Sequence, residues 1–221
     1  MTLIKSISGI RGTIGGGPSN NLTPLDVVRF TSAYAQFLLE NSKKKLTVIT
    51  GRDARISGPM VHELVNQTLI GMGINVIDLG LSTTPTVAIA VSFENANGGI
   101  IVTASHNPKQ WNALKLLNAA GEFINADTGA KVLAYAEKEV FNYAEVDRLG
   151  KLKERSDYIQ KHIEATLAME HVNIQEIRKK KFKVVVDGVN SSGGIVIPEL
   201  LKVLNVEVVK IHCEPNGYFS H

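Results

Sequence analysis

The sequence predicts an α/β fold: a mixed, largely parallel sheet sandwiched by helices, followed by the start of a second α/β unit of the same kind. Two observations carry this. Apolar runs of strand length alternate with amphipathic stretches of helix length, the pattern of chains that wind back and forth across a parallel sheet. The alternation lapses over the polar residues 142–155 and then resumes, which divides the chain into one domain over 1–145 and a partial one over 155–221. With 221 residues, 44% of them hydrophobic, the chain can bury one full core and part of a second.

Thr23-Pro24-Leu25-Asp26 has the form of a capping box with proline at the first helical position. Val27, Val28, Tyr34, Phe37 and Leu38 then recur near helical spacing up to a stop near Asn41. Residues 46–50 read as a strand, 59–71 as a helix, 74–79 as a strand, 85–93 as a short helix and 98–102 as a further strand. Residues 113–117 and 122–124, separated by 118–121, read as a hairpin, and 127–139 as a helix. After the polar gap come a helix over 156–169, a strand over 182–186, a glycine-containing loop, a helix over 195–204 and a strand over 206–211. Two parallel strands are not independently stable. The second unit therefore reads as cut short and the chain as a fragment of a longer protein.

Composition excludes several classes. No run approaches the roughly 18 apolar residues of a membrane span, and the first five residues do not open a signal peptide, so a cytoplasmic protein without membrane partners is expected. Cys213 is the single cysteine, which rules out an internal disulfide and reads as a half-buried residue near a strand end. The net charge is +3, but the lysine runs at 43–45 and 178–181 each precede an apolar strand and have no interleaved aromatics. They read as solvated lead-in turns, and no nucleic-acid partner is expected.

The candidate sites begin with residues 98–118, GGIIVTASHNPKQWNALKLLN, where a buried strand runs into small polar residues and Pro108. Ser105 beside His106 raises a serine hydrolase. The flanks Thr103 and Asn107 are not those of G-x-S-x-G, however, and adjacent side chains point apart, so a triad is disfavoured. The segment suits a serine exposed at a strand's carboxyl end, where open α/β sheets place ligands. Two more segments, read as loops, add phosphate chemistry. Ser8-Gly9-Ile10-Arg11-Gly12 sets an arginine between glycines, and residues 51–58, GRDARISG, lie between a strand and a helix. Glycines admit a ligand close to the backbone, arginine forks match phosphate oxygens, and a helix N-terminus offers amides. Within the second segment Arg52, Asp53 and Arg55 read as residues that brace the loop, with Arg52 and Asp53 a candidate ion pair.

Gly9-Ile10-Arg11-Gly12, the GRDARISG segment and Thr103-Ala104-Ser105-His106-Asn107-Pro108, followed by Asn112 and Lys115, together resemble the N-terminal domain of the α-D-phosphohexomutases. That superfamily holds the phosphoglucomutases, phosphomannomutases and phosphoglucosamine mutases. The resemblance implies an isomerase that interconverts hexose 1-phosphates and 6-phosphates of glucose, glucosamine or mannose. Ser105 would carry the phosphoryl group, and a bisphosphorylated sugar would turn over in the cleft. Arg11, Ser105, His106, Asn107 and Lys115 would contact phosphate or substrate, with Lys115 stabilising charge or moving a proton, Arg11 approaching the serine phosphate and His106 positioning it. It also implies Mg2+, held partly by an oxygen of the Ser105 phosphate, and a hexose 1,6-bisphosphate as activator. Where the family has glycine after Asn112 this chain has Ala113. The metal-binding D-G-D-x-D-R segment does not occur in the 221 residues, so Asp187-Gly188 reads as a helix-capping turn. The missing metal, sugar and distal-phosphate elements would come from the rest of the same chain, its domains 2 to 4, and this chain alone would be inactive. The residues around Ser8 and Ser105 lean toward glucosamine or glucose over mannose. An alternative from another class is a non-catalytic module that binds a phosphorylated ligand.

Overall fold

The structure, a computed structural model, describes residues 1–6, 9–42, 44–219 and 221, so Ser8 and Lys43 lie outside the described residues. In the first part of the chain β1 (Ile4–Ser6) and β2 (Gly9–Thr13) precede α1 (Pro24–Glu40), β3 (Thr47–Arg52), α2 (Gly58–Gly71), β4 (Asn75–Leu81) and α3 (Thr84–Phe93). Then come β5 (Gly98–Val102), β6 (Trp111–Leu117), α4 (Ala126–Lys138) and β7 (Leu152–Glu154). The remainder is α5 (Tyr158–Leu167), α6 (Ile174–Lys179), β8 (Lys183–Asp187), α7 (Gly193–Val203) and β9 (Glu207–Ile211).

Local chemistry explains the starts of these elements. Thr23 caps α1, with its hydroxyl facing the Asp26 amide and the Asp26 carboxylate accepting from the Thr23 amide at 3.1 Å, an arrangement worth about 1 kcal/mol. Seven strands form a sheet in the order β1-β2-β6-β5-β3-β4-β7. β5, β3, β4 and β7 are mutually parallel, β6 runs against β5, and β2 runs against β6, so that β2 points the same way as the parallel set. Successive side chains on a strand face opposite sides. Val48 and Ile100 therefore join a core with Phe30 of α1, Val65 of α2 and Val132 of α4, while Ile49 and Ile101 join Val87 and Val91 of α3 and Tyr158 of α5. Phe30 and Val65 are fully buried, and burial of that kind contributes roughly 1.5–3 kcal/mol per side chain. β8 and β9 pair in parallel as a separate two-stranded sheet beside α7.

Five expectations change. Residues 9–12 are the strand β2 and not a loop, and the close approach that their glycines allow is to protein: a Cβ on Gly9 would lie 2.4 Å from the Leu114 carbonyl oxygen. The hairpin over 113–124 reduces to a bridge between Leu117 and Phe123, because β6 takes its main partners from β2 and β5, between which it lies. The polar stretch 142–155 holds β7, a short exposed edge strand whose Lys153 and Glu154 suit an edge. Asp187 does not cap a helix. Its carboxylate accepts from the Val189 amide at 2.9 Å and shapes the turn after β8, while Ser192 stands at the start of α7. Of the lysine-rich run at 178–181, Arg178 and Lys179 form the last turn of α6, where cations oppose the helix dipole favourably.

Candidate active site

Residues 103–110 connect β5 to β6, so both ends of this loop are anchored in neighbouring strands. Ser105 is exposed and adopts a left-handed backbone, with φ 56°, which a non-glycine residue keeps only when its surroundings insist. Those surroundings are specific. The Ser105 amide donates to the Thr103 hydroxyl at 3.1 Å, and that hydroxyl donates to Asp53 Oδ2 at 2.6 Å. The Ser105 carbonyl accepts from Arg55 Nη2 at 2.9 Å.

Arg55 is the centre of this arrangement, 1% exposed, with all five guanidinium N–H groups engaged. Nε meets Asp53 Oδ2 at 3.1 Å, Nη1 meets the carbonyls of Pro108 and Trp111 at 2.8 and 2.9 Å, and Nη2 meets Ser105 and Asn107 at 2.9 and 2.7 Å. Four backbone carbonyls thus converge on one planar fork, which lysine could not imitate. Burial pulls the guanidinium below its ordinary pKa and the adjacent Asp53 pulls it back. The ion pair in this turn is Asp53 with Arg55; Arg52 instead donates from Nη1 to the Asp53 carbonyl at 3.1 Å.

Arg11 and Lys115 reach the same region from the sheet. Arg11 lies opposite Ala113 in the β2–β6 register, and Lys115, two residues on, projects from the same face. Partial burial holds the Lys115 ammonium below its usual pKa; Asp53 raises it, and Arg11 and Arg55 lower it further. The Arg11 Nε is buried with no hydrogen-bond partner among the described residues. Asn112 is fully buried and donates to the Ser57 hydroxyl at 2.9 Å, tying β6 to the start of α2.

A cleft of about 630 Å³ opens beside the loop, lined by Ser105, His106 and Asn107 and, from the second unit, by Val189, Ser191 and Phe219. His106 is exposed in it, while Asn107 serves the loop through its backbone. Arg11 and Lys115 do not line this cleft. The sequence marks Thr103 only as a flank of Ser105, with no role of its own, and does not mark Phe219. Thr103 was open to recognition as a hydroxyl two residues before a turn residue, whereas nothing local marks Phe219.

The 221 residues match the family described as phosphoglucomutase/phosphomannomutase, alpha/beta/alpha domain I, over 3–143, and domain II of the same family over 157–221. The chain belongs to this family. A phosphoglucomutase/phosphomannomutase of Thermococcus kodakarensis is 33% identical over 94% of this chain and 45% of its own length. A phosphoglucosamine/phosphogalactosamine mutase of Sulfurisphaera tokodaii is 31% identical over 96% and 45%. The crystal structure of a putative phosphomannomutase from Thermus thermophilus superposes with a TM-score of 0.82 at 25% identity, over 97% of this chain and 47% of that one. The chain therefore spans about half the length of the family members it matches.

Among the described residues a divalent cation is poorly served. Beside Ser105 the nearby carboxylate is Asp53, whose oxygens already accept from the Arg55 amide, the Arg55 Nε and the Thr103 hydroxyl. The described residues hold one group with ligand spacing, Asp187, His212 and His221, all exposed, in which Asp187 is also taken up by the Val189 amide. Among the described residues no helix is long and apolar enough to cross a membrane.

Proposed function

We propose that this chain carries the phosphoryl-bearing part of a phosphohexomutase, and that Ser105 is the residue that carries it. Residues 1–145 are proposed as one domain and those from 155 as the start of another, with Tyr158 of α5 buried against the core of the first. The observation that supports it most is the Ser105 backbone, held on its amide side by Thr103 and on its carbonyl side by Arg55 while its side chain stays exposed in a cleft.

In the proposed reaction phosphoserine 105 donates its phosphoryl group to a hydroxyl of a hexose monophosphate: the serine P–O bond breaks, a new P–O bond forms to the sugar oxygen, the hydroxyl's proton is passed on with net transfer to Ser105 Oγ, and a bisphosphorylated sugar results. The other phosphate of that sugar returns to Ser105 Oγ, releasing the isomer. Phosphoryl transfer depends on positioning and on stabilising charge spread over phosphoryl oxygens. Lys115, with its ammonium partly desolvated, and Arg11, whose Nε has no partner among the described residues, are the cations assigned to that charge. His106, exposed at the cleft, is assigned to positioning the phosphate or the sugar. The described residues beside Ser105 do not themselves offer the ligands of a metal ion, Asp53 being taken up by Arg55 and Thr103. Hexose phosphates of the glucose, glucosamine or mannose type are the proposed substrates.

Peptide mass spectrometry of the intact protein should find one phosphoryl group on Ser105, and incubation with a hexose bisphosphate should restore it after removal. A Ser105→Ala protein that keeps full mutase turnover would refute the mechanism. Tight binding of sugar phosphates without any phosphoryl on Ser105 would point instead to a binding module.

A further inference from the structure

The five hydrogen bonds of Arg55 all lie in the guanidinium plane, which leaves its faces to be covered by something else. Phe219 covers one, with its ring centroid 4.9 Å from Arg55 Cζ. This aromatic comes from the second unit, far along the chain, and a specific set of contacts brings it there. Gly217, with φ 75°, lies so close to the turn after β3 that a Cβ on it would sit 2.1 Å from the Ala54 carbonyl oxygen. Its amide donates to the Asn190 carbonyl at 3.0 Å, and the Asn190 side chain donates to the Glu214 carbonyl at 3.2 Å. The Ala54 amide in turn faces the Ser191 hydroxyl at 3.4 Å. Residues 214–219 are thus tied to the turn after β8 and laid across the turn that holds Arg55.

We propose that Phe219 is a positioning residue for the Ser105 loop. Its ring stacks on the guanidinium, excludes water that would compete for the five N–H groups, and so keeps the loop carbonyls gathered and Ser105 left-handed. Seating the second unit on the first then sets the geometry at Ser105 through a single arginine. The catalytic consequence rests on the phosphoserine reading given above; the effect on Arg55 does not.

The test uses the intact protein with Phe219→Tyr, Phe219→Leu and Phe219→Ala. Solvent exchange of the Arg55 Nε–H, followed by NMR, should be roughly two- to thirtyfold faster in Phe219→Leu and Phe219→Ala, the span of cation–π energies expressed as a ratio, and unchanged in Phe219→Tyr. Mutase kcat should fall in the same two variants with KM nearly constant, and recover in Phe219→Tyr. Exchange that is the same in all four proteins overturns the proposal, as does a Leu variant indistinguishable from the Tyr one. Should Phe219→Ala fail to fold, the Leu and Tyr pair decides. If Ser105 proves to carry no phosphoryl group, the kinetic arm falls with that reading, and Arg55 exchange still decides the role of Phe219.

Discussion

Arg55 and Ser105 are 50 residues apart in sequence, and Nη2 of the one donates to the carbonyl of the other at 2.9 Å. The same guanidinium gathers three further loop carbonyls and pairs with Asp53. Arg55→Met would leave Asp53 as a buried carboxylate without its cation. The expected cost is roughly 3–5 kcal/mol in urea unfolding, the range for breaking a buried pair. A loss under about 1 kcal/mol, the range of exposed pairs, would show that the loop does not depend on this brace.

Thr103 accepts from the Ser105 amide and donates to Asp53. Thr103→Val keeps the shape and removes the hydroxyl, which leaves the Ser105 amide without its acceptor and costs Asp53 Oδ2 one of its two donors. The expected loss is about 1–3 kcal/mol of stability, with a larger fall in turnover than in substrate binding. Thr103→Ser should recover most of both. Equal behaviour of Val and Ser would place the effect in packing alone.

The contrast between Thr103 and Arg55 shows what was legible beforehand. The alternation of strands and helices, the capping box at Thr23 and the three motif segments all announce themselves through residue type and spacing. The Arg55 cluster could be read only as a brace of some kind, because four of its five acceptors are backbone carbonyls, which every residue type possesses. β2 escaped recognition because its glycines depress a strand signal while meeting the needs of close packing. β7 escaped because it is polar and exposed along its whole length. Phe219 depends on a contact between two units, and no local pattern encodes that.

Ser105 sits at φ 56°, where glycine is at ease and a Cβ is not. Ser105→Gly should therefore be more stable than Ser105→Ala by about 1 kcal/mol in thermal or urea unfolding. Both should be devoid of phosphoryl group. If Ala proves the more stable of the two, the loop relaxes out of the left-handed region once the hydroxyl is gone.

His62 is buried in α2, its Nε2 3.3 Å from Asp78 Oδ1. Desolvation by burial holds its pKa below the ordinary 6.5 despite the attraction of Asp78, and Arg52 lowers it further. The unfolded chain then binds the proton more readily than the folded one, so this contribution to stability is complete above pH 6.5 and is lost as pH falls through the folded pKa. As pH falls below 6.5 the parent should lose urea stability relative to His62→Gln, which carries no imidazole to titrate. A constant gap between them across that window would remove His62 from the pH dependence.

The direct link between β5 and β6 also bears on the order in which the site assembles. These strands are consecutive in the chain and adjacent in the sheet, so closing residues 103–110 between them costs little chain entropy. Bringing in Arg55 from 50 residues upstream costs more. The outline of the serine loop can form early in folding, with its own hairpin. Its final curvature waits for β3 to dock, so substitutions at Arg55 should speed unfolding more than they slow folding.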